Sequence, residues 1–168
     1  MTEDLPRNFN WDSTEFFERL TRENRFARSL GYTFCRVSGL DGFQDALARF
    51  KSRKPLVAAS DISQGVLFTD NSPHTERVKT VFLGYPHAVD DMTAREAAMD
   101  RNRELFRQFM SRLILEKTAL EEHTIYLDDR ISLSEIDRYA FSGMACAYFQ
   151  IKVSTYTDLR FNPEEWQL

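Results

Sequence analysis

Cysteine occurs only twice in this 168-residue chain, at Cys35 and Cys146, and no CxxC spacing is present. Two thiols cannot make a disulfide framework, and both read as small, reduced, apolar residues of the interior. Glycine is scarce too, with six scattered residues. Neither GxGxxG nor GxxxxGK(S/T) occurs, so no glycine-rich loop is available to cradle a phosphate. His74, His87 and His123 fall in three different segments with no HxH or HExxH spacing, which removes the common zinc sites. There is no G-x-S-x-G elbow, and Ser142-Gly143 falls within a strand pattern, the wrong context for a nucleophile. The longest apolar runs are far short of 18 residues, so no membrane-spanning helix is expected. The acidic opening Met-Thr-Glu-Asp-Leu-Pro lacks the apolar segment of a signal peptide. These absences lead to the expectation of a non-enzymatic protein that needs no metal or cofactor and is kept in a cytoplasm-like compartment.

What the chain does have is aromatic side chains: 14 Phe, 6 Tyr and 2 Trp, within a hydrophobic share of 42%. Such residues bury large areas each and supply a compact core. The length fits one domain, residues 1–168, with irregular arms at 1–11 and 157–168. The net charge of −4 and pI of about 5.4 argue against broad, nonspecific nucleic-acid binding, which needs clustered Lys and Arg, and no sequence-specific nucleic-acid partner is expected.

A first helix is expected from about Ser13, with Ser13 as its cap and Gly31 as its end. Tyr32 to Val37 reads as a strand, and Asp41 to Arg53 as a second helix closed by Pro55. Leu56 to Ile62, Val66 to Thr69 and Arg77 to Tyr85 read as an antiparallel meander. The longest element runs from Thr93 to about Thr118, with Thr93 and Glu96 forming a capping box. Ala98, Leu105, Phe109 and Leu113 make one apolar stripe. Met99, Phe106, Met110 and Ile114 make a second beside it, giving the wide face of a helix packed on a sheet. Asp100–Arg103 and Glu104–Arg107 are opposite-charge pairs on the wet side. Short strands follow at 124–127 and 130–133. From Phe141 to Ser154 the chain alternates with period two, and small residues at 143, 145 and 147 leave room for the long helix. The predicted class is α+β: a mostly antiparallel sheet with the long helix (about 93–118) and an N-terminal helix packed on one face.

Few residues offer chemistry. His87, Asp90 and Asp91 can supply metal ligands, but the positive end of the following helix already accounts for both acids. Glu121, Glu122 and His123 read as a solvated helix end, and Asp128-Asp129 as a turn. The one basic cluster, Arg49, Lys51, Arg53 and Lys54, can meet an acidic partner. It can equally compensate the negative end of its helix. Phe9 and Trp11 at one terminus, and Tyr156, Phe161 and Trp166 at the other, stand in polar, irregular segments. Aromatics so placed anchor a neighbouring protein or fold back onto their own domain.

The order of a leading helix, a β meander, one long capped helix and closing strands resembles the tail terminator and tail-completion proteins of long-tailed bacteriophages. The closing segment Tyr-Thr-Asp-Leu-Arg-Phe-Asn-Pro-Glu-Glu-Trp (156–166) also looks like that of small virion proteins. The resemblance covers residues 56–166, and the helix between the first two strands departs from it. It implies a homo-oligomeric ring, usually hexameric, that sits among other tail proteins in the virion and has neither catalysis nor cofactor. A heterologous, head-to-tail contact repeated to closure builds such a ring. The other reading is a module binding a small molecule or peptide between the long helix and the sheet.

Overall fold

The computed structural model describes residues 11–49, 54–137 and 141–167. The leading helical segment is two helices, α1 (Ser13–Glu23) and α2 (Arg25–Leu30). The expected single helix breaks at Asn24, whose extended backbone ends α1 and whose side chain accepts from Ala27 N to start α2. Asp12, not Ser13, caps α1, taking the amides of Thr14 and Glu15. Gly31 closes α2 in the left-handed conformation, at φ +79°.

Seven strands follow: β1 (Thr33–Val37), β2 (Leu56–Ser60), β3 (Gln64–Phe68), β4 (His74–Pro86), β5 (Ile125–Leu127), β6 (Leu133–Glu135) and β7 (Met144–Tyr156). They form one sheet built on the thirteen-residue antiparallel ladder of β4 and β7. β2 and β3 both pair antiparallel with the outer edge of β4. Their registers differ by two residues, so residues 60–63 form a bulge within one long run. The region is therefore a long bulged hairpin, and the meander expected of these strands is not formed. β5 and β6 share the outer edge of β7 in the same way. β1 pairs parallel with β2, because α3 (Gly39–Arg49) carries the chain across between them. Among the described strands this is the one parallel pair, so the sheet is mostly antiparallel.

The long helix, α4 (Met92–Glu122), is capped by Asp91, which accepts from Ala94 N; the expected cap from Thr93 is displaced by two residues. α4 and α1 lie on one face of the sheet, as expected. Their Phe17, Leu105, Phe109 and Leu113 meet Val81, Leu83, Phe149 and Ile151 of the strands. Each fully buried Phe or Leu there contributes roughly 1.5–3 kcal/mol. α3 lies on the opposite face, where Phe43 stacks on Phe82 at 4.5 Å. The expectation of helices on one face therefore holds for α1 and α4 but not for α3. The side chains of Ala46 and Leu47, expected on the apolar side of that helix, lie outside the described residues, as does Phe50.

At the centre of this arrangement α4 crosses the small residues of β7. Ala98 and Met99 pack on Ala145 and Ala147. Gly143 lies just outside the strand, in a left-handed turn at φ +75°, so it contributes to the approach and not to the ladder. Asn102, fully buried in α4, donates from Nδ2 to the carbonyl of Ala145 at 2.8 Å and accepts from the Tyr32 hydroxyl at 2.8 Å. Burial, above all, pushes the Tyr32 hydroxyl above its ordinary pKa, so it remains a donor at neutral pH. Replacing Asn102 by Ala orphans the buried Tyr32 hydroxyl and removes the side-chain donor from the Ala145 carbonyl, which keeps its place in the β4–β7 ladder. Urea unfolding of Asn102→Ala is expected to show a loss of about 2 kcal/mol. An unchanged midpoint would mean that this bridge contributes nothing to stability.

Candidate docking surface

Most polar groups with catalytic potential are taken up structurally, although the buried Nε2 of His87 has no hydrogen-bond partner among the described residues. Asp91 caps α4, and His87 places Nδ1 2.8 Å from the carbonyl of Ala88. Asp128 accepts from Arg130 N in a turn, and Asp129 pairs with Lys117. Glu104 pairs with Arg107, which, with Gln108, holds its carboxyl well below the usual range, at about 2. Cys146 is buried, which pushes its thiol up to about 12; burial raises the Cys35 thiol as well. In both, burial disfavours the thiolate form. Among the described residues no three His, Cys, Asp or Glu side chains are grouped to hold a metal.

The apolar side chains are less fully accounted for. After β7 the chain turns back over the β3–β4 hairpin. Thr157 N donates to the carbonyl of Pro73, and the hydroxyls of Thr157 and Thr75 lie 2.7 Å apart. Asp158 pairs with Arg160, accepting from its backbone amide and its guanidinium, and Asn162 caps the 3-10 turn Pro163–Glu165. This arm has local order but little cover. Phe161 is 68% exposed and Trp166 63%, and the two rings stack on each other at 6.4 Å. Leu159 and Tyr156 are also exposed. Between the arm and the strands lies an open groove of about 780 Å³, floored by Leu67, Thr75 and Arg77.

One wall of the groove is β3, exposed along its whole length. Its far edge has no strand beside it among the described residues. Val66, Leu67 and Phe68 are all exposed, and no charge or proline interrupts the strand. Edge strands are ordinarily blunted by charge, proline or cover.

At the opposite edge of the sheet a second concavity, of about 320 Å³, opens between α4 and the β5–β6 connection. Phe106, Met110, Leu113, Leu127 and Ile131 line it, and Lys117 and Asp129 meet at its rim. Ile114, on its wall, is 67% exposed. The space expected over residues 143–147 is filled by Ala98 and Met99, so the opening beneath the long helix lies further toward its C-terminal half.

The expected interface residues divide accordingly. Phe161 and Trp166 come together on the arm, while Tyr156 is the exposed last residue of β7. Trp11 does not join them: it is 6% exposed and packs on Phe16 at 5.4 Å, so it belongs to the core. Phe9, Lys51 and Arg53 lie outside the described residues, as does the side chain of Arg49; Lys54 is exposed ahead of β2. Sequence reasoning missed the bare edge of β3, because an apolar triplet reads as buried. It also missed the cavity, because Phe106, Met110 and Leu113 read as filled core. No protein-family model matches the chain, and no curated protein sequence matches it significantly.

The two tryptophans report the opposite environments directly. With Trp11→Phe, the remaining Trp166 emission is expected to be red-shifted and readily quenched by acrylamide. With Trp166→Phe, the Trp11 emission is expected to be blue-shifted and protected. Equal quenching in the two variants would contradict the packing described.

Proposed function

We propose that the chain is a non-enzymatic assembly subunit that joins copies of itself, in the manner of a tail terminator, into a closed ring. The single observation that carries this reading is the juxtaposition of a bare apolar edge strand, Val66-Leu67-Phe68, with exposed aromatics on a hydrogen-bonded arm. A monomer gains nothing from holding Phe161 and Trp166 in water on an ordered scaffold. An interface core gains a great deal, since aromatic anchors dominate binding energy. A strand edge adds main-chain hydrogen bonds without needing a particular side chain. On α4, Arg103 is held within the subunit by Glu96, Asp100 and Glu135, and Arg107 by Glu104. The buried thiol of Cys146 and the capping role of Asp91 further support a scaffold over a reaction site. On this reading the neighbours are further copies and other assembly proteins, and the subunit ends in a virion.

A second reading, a module for a small apolar ligand, is favoured by the cavity beside α4. Its volume is at the low end of ligand-sized clefts, and its wall is largely hydrocarbon.

Light scattering after size exclusion tests the first reading. The purified chain is expected to elute as a defined oligomer whose mass falls on dilution. Val66→Lys, placing a charge on the exposed strand, is expected to yield a folded species of lower mass. A clean monomer for the unaltered chain at high concentration rules out self-assembly.

A further inference from the structure

The exposed arm and the open cavity lie in the same cross-strand rows. Register carries Leu67 to Thr75, Thr155 and Ile125, and Gly65 to Arg77, Val153 and Leu127. The first members of these rows floor the groove beneath the arm. Leu127, the last member of the second, lines the cavity. The same face is involved throughout, because Leu127 and Val153 belong to the core that α4 covers. Groove and cavity are thus at opposite edges of the sheet, on one face, about 14 Å apart at three strand spacings.

Strand direction adds a second constraint. β3, β4, β7 and β5 are joined by three antiparallel pairings, so β3 and β5 run in opposite directions. A second copy displaced sideways therefore brings its β3 beside β5 of the first in the antiparallel sense. Its arm then overhangs the helical face at the position of the cavity.

We propose that the stacked pair Phe161 and Trp166 of one copy seats in the cavity of Phe106, Met110, Leu113, Leu127 and Ile131 of the next copy. This contact rests on the assembly reading above and makes it specific. Each half suits the other: the aromatic pair is an apolar knob without cover, and the cavity is an apolar hollow open to solvent. Exposed Ile114 closes over the seated rings. Glu164 stands two residues before the indole on the arm and is exposed. Lys117 stands at the cavity rim with Asp129, whose side chain is 90% exposed, and with Glu121 at 4.0 Å. The contact is heterologous: knob and cavity are different surfaces, so every copy offers both and the contact can repeat.

Complementary variants test this. Phe161→Ala with Trp166→Ala removes the knob and leaves the cavity. Ile114→Glu charges the cavity mouth and leaves the knob. All three positions are exposed, so both proteins are expected to fold, as circular dichroism and urea unfolding will verify. Each alone is expected to be monomeric by light scattering. Mixed in equal amounts they are expected to give a one-to-one heterodimer, because one intact knob and one intact cavity remain in the pair. If the unaltered chain assembles but either variant assembles equally well, the knob-and-cavity contact is wrong while the assembly reading stands. A mixture that stays monomeric overturns the contact in the same way. If the unaltered chain is itself monomeric, both fail. An apolar dye that binds the unaltered monomer stoichiometrically, and Ile114→Glu not at all, points to a ligand in the cavity and overturns the contact.

Discussion

The contact of a helix with a strand at almost no distance governs this molecule. Ala145 and Ala147 give α4 a shallow track across the middle of β7, and Asn102 reaches the Ala145 carbonyl from within that track. A larger side chain at either alanine would lift the helix and separate those atoms. The same Asn holds Tyr32 at the start of β1, whose ring lies 5.6 Å from that of Tyr85, itself covered by Arg101. One polar bridge thus ties the leading helical segment, the long helix and the central ladder together. Where the track ends, toward Phe149 and Ile151, large side chains meet Phe17, Phe106 and Phe109 and the layers spread. The cavity opens beyond that point, so it is a product of the taper between small and large residues along one strand.

Much of this taper was legible in residue order. Period two placed the buried row of β7 from Ala145 to Val153, but Phe141, expected in the same row, packs on Phe43 at the other face; the paired stripes placed the apolar face of α4 except at exposed Ile114. The ion pairs Asp100–Arg103 and Glu104–Arg107 formed where spacing put them. What could not be read was decided by competition between local options. Asp12 and Asp91 took the caps from Ser13 and Thr93, because a carboxylate just ahead of the helix accepts amides as well as a hydroxyl does. Asn24 broke one apparent helix into two by capping the second. Both faces of a strand cannot be assigned from its own pattern alone. The placement of α3 on the far side depended on Phe43 finding Phe82, a contact between distant positions.

The docking surface was half legible for a related reason. Phe161 and Trp166 stood out because they lie in a polar segment without period. Trp11 stood out on the same grounds and proved to be core, since Phe16 and α1 lay close enough to receive it. Composition identifies an aromatic without a local role. Whether the rest of the fold supplies one depends on distances that no single segment encodes. The cavity carried no signal at all, because a wall of Phe, Met and Leu has the same letters whether or not something fills it.

The thirteen-residue ladder that holds the sheet together joins segments roughly seventy positions apart along the chain. During synthesis β4 leaves the ribosome early and waits, and α4 follows it with an apolar row that has no floor. The ladder beneath them cannot be completed until β7 has emerged as far as Tyr156. The central ladder is therefore completed late, with β4 and α4 both waiting on β7. A nascent chain short of that point lacks the strand on which α4 packs and leaves the apolar row of that helix exposed.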